Sequence, residues 1–415
     1  MFNLAKIAAR NIRRYKRRSL LTISLIAFGV IFLLVFVSVS SSFKNIMIAQ
    51  ITDSYLGALQ IHRGGYVASI ESLPLNLNLS PAAVSQIKKT LAGIKDVEAY
   101  SERIKFGALF SNFTESTNIR INGVYPEKEC AALPQMLSRI SEGEMCVRAL
   151  DKGKILVPKL LAQGFGAKVG DTVVVVATNK DGSVNGKTFL VSGILESATG
   201  PGGRDGYINF DDAREILRMS DNEVSEIVVR VKSLPQVEEV AQSIRGGLGL
   251  EEKKQKGGAI EVHTWSQLSP FANIANLIDI MTFFIKVMLV AIVLISILNV
   301  MIMAVYERVR EIGTIAAIGT LPKKILSLFL VEGFCLGVAG ALLGIFIGLG
   351  VIFVLNVSNL SINFGQTKGL LLAPTIAPSD VLAASVMVIV VSILASLQPA
   401  YKASRMEPID ALRHI

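Results

Sequence analysis

The chain has 415 residues, 51% of them hydrophobic and 18% charged, with a mean hydropathy of +0.51. That balance excludes a disordered chain and an ordinary soluble domain, and points to a membrane protein. A formal charge of +9 would suit a nucleic-acid binder, but its distribution excludes that class. Seven basic residues and no acid precede Leu20, the 303–325 connection carries four basic and two acidic residues, and the tail after Leu397 carries three and two. Residues 40–278 hold 26 of each sign, so the excess sits in three short segments beside apolar runs. The positive-inside rule then predicts cytoplasmic termini, a cytoplasmic 303–325 connection and an exported large domain.

Residues 1–19 form a basic amphipathic segment, with Leu4, Ile7, Ala8, Ile12 and Tyr15 on one side and Lys6, Arg10, Arg13 and Arg17 on the other. Such a helix lies on anionic membrane lipids and feeds the first span. The span, residues 20–42 around Leu20–Val39, offers no A-x-A cleavage pattern and reads as retained. Its helix is expected to continue beyond the bilayer to about Tyr55.

Residues 43–275 have globular composition and read as the extracytoplasmic domain. Strands are expected at Ala58–His62, Val97–Phe110 and Asn118–Val124, with a helix from Pro81 to about Ala92. A second unit starts at Lys154: a strand Ile155–Val157, a helix Pro158–Gln163, two β runs, and a helix Asp211–Met219. A strand Glu226–Val231, a helix Pro235–Ile244 and a strand Ala259–His263 close the domain. The outer pieces make strand–helix–strand halves around an inserted β-rich subdomain at about 150–222, an α+β fold. Ser197–Tyr207 reads as an exposed Gly-rich loop, and Glu251–Gly258 as a charged one.

Three further spans follow at 276–304, 325–356 and 380–397, with an extracytoplasmic loop at 357–379 and a cytoplasmic tail at 398–415. Residues 305–324 join the second and third spans. Val305, Val309, Ile312 and Ala316 make one apolar helical stripe, Glu307, Glu311 and Thr314 a polar one, and Leu321-Pro322 ends the pattern. In the third span Gly333, Gly337, Gly340, Gly344 and Gly348 recur at spacings of three and four. This strips one face to backbone, so another helix can approach closely. A charged surface helix joined directly to a tightly packed span is a device for passing a push between compartments.

Glu332 is an ionisable group near membrane depth, which carries a functional expectation; it either sits at the interface or pairs with a cytoplasmic-side Lys or Arg. Asp279 and Lys286 flank the second span and are expected to snorkel. Gly182–Thr188 resembles a phosphate-binding loop, but only three residues separate its glycines where the motif needs four. It joins two β-like runs and reads as a hairpin turn, so the chain is not itself expected to bind ATP. The three histidines look scattered, no Ser or Cys has a paired base in view, and no Cys/His cluster suggests a metal. Cys130 and Cys146 fall in the exported domain, where a disulfide is permitted and two free thiols are the alternative.

The runs YERVREIGTIAAIGTLPKKI, FLVEG with its glycine ladder, and QPAYKASRMEPIDALR resemble the signature of FtsX-like ABC transporter permeases, which include lipoprotein-releasing and MacB-type permeases. AARNIRRYKRRSLLT is similar to the family's start. INGVYPEKE and KLLAQGFGAKVGDTVVVV resemble the lipoprotein-releasing branch in particular. The resemblance implies four spans, an exported domain with a porter-like part and an inserted β part, and a second permease subunit in a homo- or heterodimer. It also implies a cytoplasmic ABC ATPase dimer that binds the ATP and Mg, leaving this chain a non-catalytic subunit without cofactors. Glu307–Gly319 would dock on that ATPase, with Glu307, Arg308, Glu311, Ile312, Gly313, Ile318 and Gly319 as contacts.

Substrate would enter between the first two spans, with Phe32, Phe36, Phe43, Phe284, Met288 and Ile292 as candidate cargo-cavity residues. MacB-type pumps carry their ATPase on the same chain, and about 19 residues precede the first span here, which argues for a separate ATPase. The Asn179–Lys187 turn is short and polar, without the prolines and aromatics with which the family docks a periplasmic carrier. The expected role is mechanical release of lipoprotein or a similar lipid-anchored cargo at the inner membrane. One alternative is efflux with a periplasmic adaptor, and another is a non-transporting activator of a cell-wall hydrolase.

Overall fold

The structure is a computed structural model and describes residues 10–11, 14–144, 146–196, 204–250, 260–358, 360–364 and 367–407. Most of the basic N-terminal segment, the Glu251–Gly258 loop, much of the Ser197–Tyr207 loop and the end of the tail lie outside the described residues. The chain separates into two compact units: a helical one from 1–45, 276–362 and 371–415, and a mixed one from 46–275 with 363–370.

Four helices are long and apolar enough to span a membrane. They are α1 (Lys16–Ile51, continued by a π-helical turn Thr52–Leu56), α7 (Phe271–Glu307), α9 (Pro322–Val357) and α10 (Pro378–Ser404). α1 and α7, of 36 and 37 residues, outrun the twenty or so that a bilayer requires. Between α7 and α9 stands the short α8 (Val309–Ala317). The loop expected at 357–379 contains a hairpin, β11 (Ser361–Phe364) and β12 (Thr367–Leu371).

In the mixed unit, β1 (Leu59–Arg63), α2 (Pro81–Ala92) and β2 (Val97–Ser111) form one half. β9 (Glu226–Val231), α6 (Val237–Gly247) and β10 (Ile260–Thr264) form the other. Their strands lie in the antiparallel order β10-β1-β9-β2, a split β–α–β arrangement. Apolar helix residues at three- and four-residue spacing (Val84, Ile87 and Leu91; Val237, Val240, Ala241 and Ile244) share one core with Leu59, Ile61, Ile227 and Val229. Ser80 caps α2 by accepting from Ala83 N–H, and Pro81 sits at the first turn, where its missing donor costs nothing.

The inserted part is a closed barrel, and its boundary differs from the expected 150–222. The second half of β2 pairs with β3 (Ser116–Val124), and β3 pairs in parallel with β8 (Asp205–Asn209). β8 meets β5 (Lys154–Pro158), β5 pairs with β7 (Val184–Leu195), β7 with β6 (Thr172–Thr178), and β6 returns to β2. Closure through β2 and β3 leaves neither β6 nor β8 with a free edge, which an insert made of 150–222 alone would leave unpaired. Alternate residues, Phe106 and Phe110, Ile119 and Ile121, Val173 and Val175, Phe189 and Val191, fill the core. Asp205–Tyr207, expected in a loop, are strand. Around the barrel lie α3 (Pro126–Ala132), β4 (Ile140–Gly143) on β7, α4 (Lys159–Phe165) and α5 (Phe210–Ile216). The β6–β7 turn lies earlier than the expected Gly182–Thr188: it is closed by Asn179 N–H donating to Ser183 O at 2.7 Å, and Val184–Thr188 are the paired start of β7.

Candidate functional site

The site is built on α8. The backbone leaves helical geometry at Arg308 (φ −114°, ψ 17°), which separates α8 from the end of α7. Gly319, at φ +93°, ends α8 in the left-handed conformation that a β-carbon would oppose. Val305, Val309 and Ile312 are buried in the helical core, while Tyr306, Ile315, Ile318 and Leu321 are exposed, Ile318 at 80%. The inner side of α8 is therefore apolar, and its outer side sets Ile315 among the exposed Arg310 and Thr314, with Ile318 and Leu321 exposed just after it.

Arg308 lies at 6% exposure and Glu332, on α9, at 0%. Glu332 accepts from Arg18 Nη2 at 2.8 Å through Oε1 and from Arg308 Nη1 at 3.2 Å through Oε2. Arg308 Nε also donates to Glu311 Oε2 at 3.1 Å, and the Tyr15 hydroxyl donates to Glu311 Oε1 at 3.2 Å. Arg18 and Arg308 both stack near the Tyr15 ring, at 5.4 and 5.6 Å from its centroid. Arg14 and Arg18 approach Glu311 and Glu307, each at 3.6 Å. Three guanidinium groups thus meet three carboxylates drawn from α1 with its leading turn, α8 with the end of α7, and α9. Burying Glu332 unpaired would cost several kcal/mol, roughly, so both arginines are needed to hold its charge. Burial would raise the Glu311 carboxyl, but the Arg308 hydrogen bond and charge, the Tyr15 hydroxyl and Arg14 outweigh it and hold the group below its ordinary range.

Below this network, the glycines of α9 serve two neighbours. A β-carbon at Gly333 would lie 2.7 Å from Ser396 Cβ, and one at Gly337 would collide with Ser392, both on α10. Ser392 donates its hydroxyl to Gly333 O at 3.2 Å across this contact. At Gly340, Gly344 and Gly348 the neighbour is α1: a β-carbon at Gly344 would stand 2.6 Å from Val30 Cβ and 2.9 Å from Ala27 O. α9 is therefore keyed to α1 and α10 by backbone approach.

Two family models fit along the chain. Residues 19–246 match the MacB-like periplasmic core domain, and residues 283–408 the FtsX-like permease C-terminal domain, which contains α8. The chain belongs to the MacB-type, FtsX-like family of ABC transporter permeases. It is similar to the lipoprotein-releasing system transmembrane protein LolC of Neisseria meningitidis serogroup B, 24% identical over 440 residues and the full length of both. The uncharacterized ABC transporter permease YknZ of Bacillus subtilis is 25% identical over 434 residues, 99% of this chain and 98% of that one. The macrolide export ATP-binding/permease protein MacB of Bdellovibrio bacteriovorus is 27% identical over 352 residues, and the match covers 82% of this chain and 50% of that protein. The chain thus spans about half of that relative's length. Among solved structures, the extracellular domain of YknZ from Gram-positive bacteria aligns with a TM-score of 0.34 at 15% identity, over 50% of this chain and 99% of that domain.

As an ABC transporter permease, the protein uses α8 differently from the sequence expectation in one respect. Arg308, Ile312 and Gly313 face inward, and Arg308 is committed to Glu332 and Glu311, so it is not available as a docking contact. Glu307, Ile318 and Gly319 are exposed, and Glu311 is half-buried. Of the cavity candidates, Phe284, Met288 and Ile292 lie on an exposed α7 stripe with Leu277, Met281 and Ile295, and Phe32 is exposed on α1. Phe36 and Phe43 are half-buried. Asp279 pairs with Lys44 at 2.6 Å. Cys130 is disulfide-bonded, the side chain of Cys146 lies outside the described residues, and Cys335 is free. His62 and His263 are not scattered: β1–β10 pairing brings their rings to 5.7 Å. Among the described residues no group suited to a metal ion occurs.

Proposed function

We propose that the chain is the membrane subunit of a complex that extracts lipoprotein, or similar lipid-anchored cargo, from the outer leaflet of the inner membrane. A cytoplasmic ATPase dimer on a separate chain supplies the energy and holds the ATP and Mg, and this subunit catalyses no reaction. Both termini and α8 lie on the cytoplasmic side, as the charge distribution requires. The observation that carries the reading is the two-sided α8. Ile315 on its outer side, with Ile318 and Leu321 just after the helix, is exposed to meet a partner, and its inner side is bonded through Arg308 to α9 and, by way of Glu332, to α1. A push on the outer face reaches two spans without passing through a flexible link. The exposed stripe of α7 would meet a second permease and the acyl chains of cargo.

The full-length correspondence to a LolC supports lipid-anchored cargo. The polar β6–β7 turn, lacking prolines and aromatics, supports the partner that does not dock a carrier. The similarity to MacB supports the second reading, efflux through a periplasmic adaptor. The test is to purify the tagged chain from its native membrane in mild detergent without ATP and identify what co-elutes. An ATPase with acylated proteins is the expected result. An ATPase with an adaptor or a hydrolase and no acylated protein would replace the reading.

A further inference from the structure

α1 and α7 run antiparallel and meet in polar rungs at the end remote from α8. Lys44 Nζ reaches Asp279 Oδ1 at 2.6 Å, and the Ser40 and Thr282 hydroxyls meet at 2.7 Å. The same register brings Gly29 against Val293 further along. Between these points stands Lys286, about one turn beyond Thr282. Here α1 offers Leu33, Leu34 and Val37, all apolar, which share with Lys286 the lining of a cavity of about 60 Å³. The far wall belongs to α10 and its lead-in, with Ile376, Met387 and a single carboxylate, Asp380.

Lys286 is half-buried and Asp380 exposed, and both line this cavity. Among the described residues, neither side chain has a hydrogen bond or an ion-pair partner within 4 Å. Asp279, the other carboxylate on this part of α7, is already taken by Lys44. An ionised group at the depth of the spans is costly alone and is retained where it meets an opposite charge. The cavity is far below the size of a small-molecule site, and the four-carbon stem of a lysine can cross it. At the other end of α7 the comparable pair is closed, with Arg308 Nη1 on Glu332 Oε2 of α9 at 3.2 Å. α9 is in turn keyed to α10 through Gly333 and Gly337 against Ser396 and Ser392. α7 is thus bonded to the α9–α10 pair beside α8, and faces it with an open pair at the remote end.

We propose that Lys286 and Asp380 are counter-ions of one another and form a latch that joins α7 to α10 when the cavity between them closes. α7 would then be fastened to the α9–α10 pair at both ends, with the Arg308–Glu332 bond as its pivot. Both charges belong to this chain, so the latch stands or falls apart from the cargo.

The test restores the charge chemically, which leaves Asp380 in place at the first turn of α10. The full chain carrying Lys286→Cys and Cys335→Ala, in nanodiscs of zwitterionic phospholipid, is treated with aminoethyl, sulfonatoethyl or methyl methanethiosulfonate. The first returns an ammonium group at about the length of lysine, the second an anion and the third a neutral cap. Melting temperature is read beside the Cys335→Ala chain under the same treatment. Lys286→Cys should melt a few degrees lower, and the ammonium reagent alone should recover most of that loss. With Asp380→Asn added, the recovery should vanish. Lys286→Cys/Asp380→Cys should form a disulfide on mild oxidation, which needs Cα atoms within about 7 Å. Lys286→Met/Asp380→Asn, which leaves neither charge alone, should melt above either single variant, and stands as the test if Lys286→Cys does not fold or does not react. Equal recovery by all three reagents, recovery that survives Asp380→Asn, no disulfide, or a double variant whose loss is the sum of the singles would each overturn the proposal.

Discussion

Two buried ion clusters, one in each unit, solve the same electrostatic problem differently. In the exported unit, Arg103 at 0% exposure faces Glu129 at 2.7 Å and Glu226 at 3.0 Å, with Lys105 on the same strand also on Glu226. Arg103 stands on β2 where that strand passes from the four-stranded sheet into the barrel. In the helical unit a single carboxylate, Glu332, is shared by arginines from two other segments. The first cluster lies on the sheet face opposite the large apolar core, on the side of Val228 and Tyr207, and joins β2, β9 and α3. The second joins helices that also pack through glycine contacts. One cluster fixes a fold, and the other ties elements whose relative movement would be the output of a transporter.

The sharpest way to break this contrast is Arg103→Met. It removes the cation that faces the buried Glu129 and leaves Glu226 with Lys105 alone of its two cations, at a cost of about 3–5 kcal/mol. A large fall in the unfolding midpoint of the full chain in detergent is expected. Arg103→Met/Glu129→Leu should recover much of the loss, because Glu226 keeps Lys105. If the single variant melts like the parent, the cluster does not hold the fold.

Next in size is Gly344→Leu. Contact with Val30 and with the Ala27 carbonyl leaves no room even for a β-carbon. Overpacking of this kind costs about 1–3 kcal/mol or more. Lower thermal stability and separation of α9 from α1, read by cysteine cross-linking, are expected; normal assembly would show that the seam tolerates bulk. Glu332→Gln should cost less, about 1–3 kcal/mol, because the amide keeps an acceptor for one arginine. Its main expected effect is on transmission: the complex assembles, but cargo no longer stimulates ATP hydrolysis. Stimulation at the parental level would make Glu332 a structural residue like Arg103.

How much of this was legible follows the range of the interactions. The spans, α2 and β9 were readable because apolar runs and periodicity are local signals, and α8 because its buried stripe Val305, Val309, Ile312 recurs at helical spacing. The Gly333–Gly348 ladder announced a close approach but not which helices approach. Barrel closure was not legible: the β3–β8 parallel pairing joins Arg120 to Asp205 across a long insertion, and β8 is five residues beside a glycine-rich run. The partners of Glu332 and Glu311 were equally hidden. Tyr15 and Arg18 stand in a basic stretch that looks like a topogenic signal, and nothing local marks them as reaching α8 and α9 from some 300 residues away.

The smallest effect should come from His263, and it is read by pH. Burial, helped by the neighbouring His62, lowers the His263 pKa below its usual 6.5. The unfolded chain therefore takes up that proton first, so stability rises with pH across this window. The stabilising state is present above 6.5 and is lost as pH falls through the folded value. Glu226 acts later: burial opposes its charge, but Lys105, His62 and Arg103 outweigh burial and depress it well below 4.5, so its contribution is lost only in stronger acid. His263→Gln should flatten the melting temperature between pH 8 and 5.5 by at most one proton's slope and leave the acid limb unchanged. An unaltered profile in His263→Gln would assign the near-neutral slope to a group other than His263.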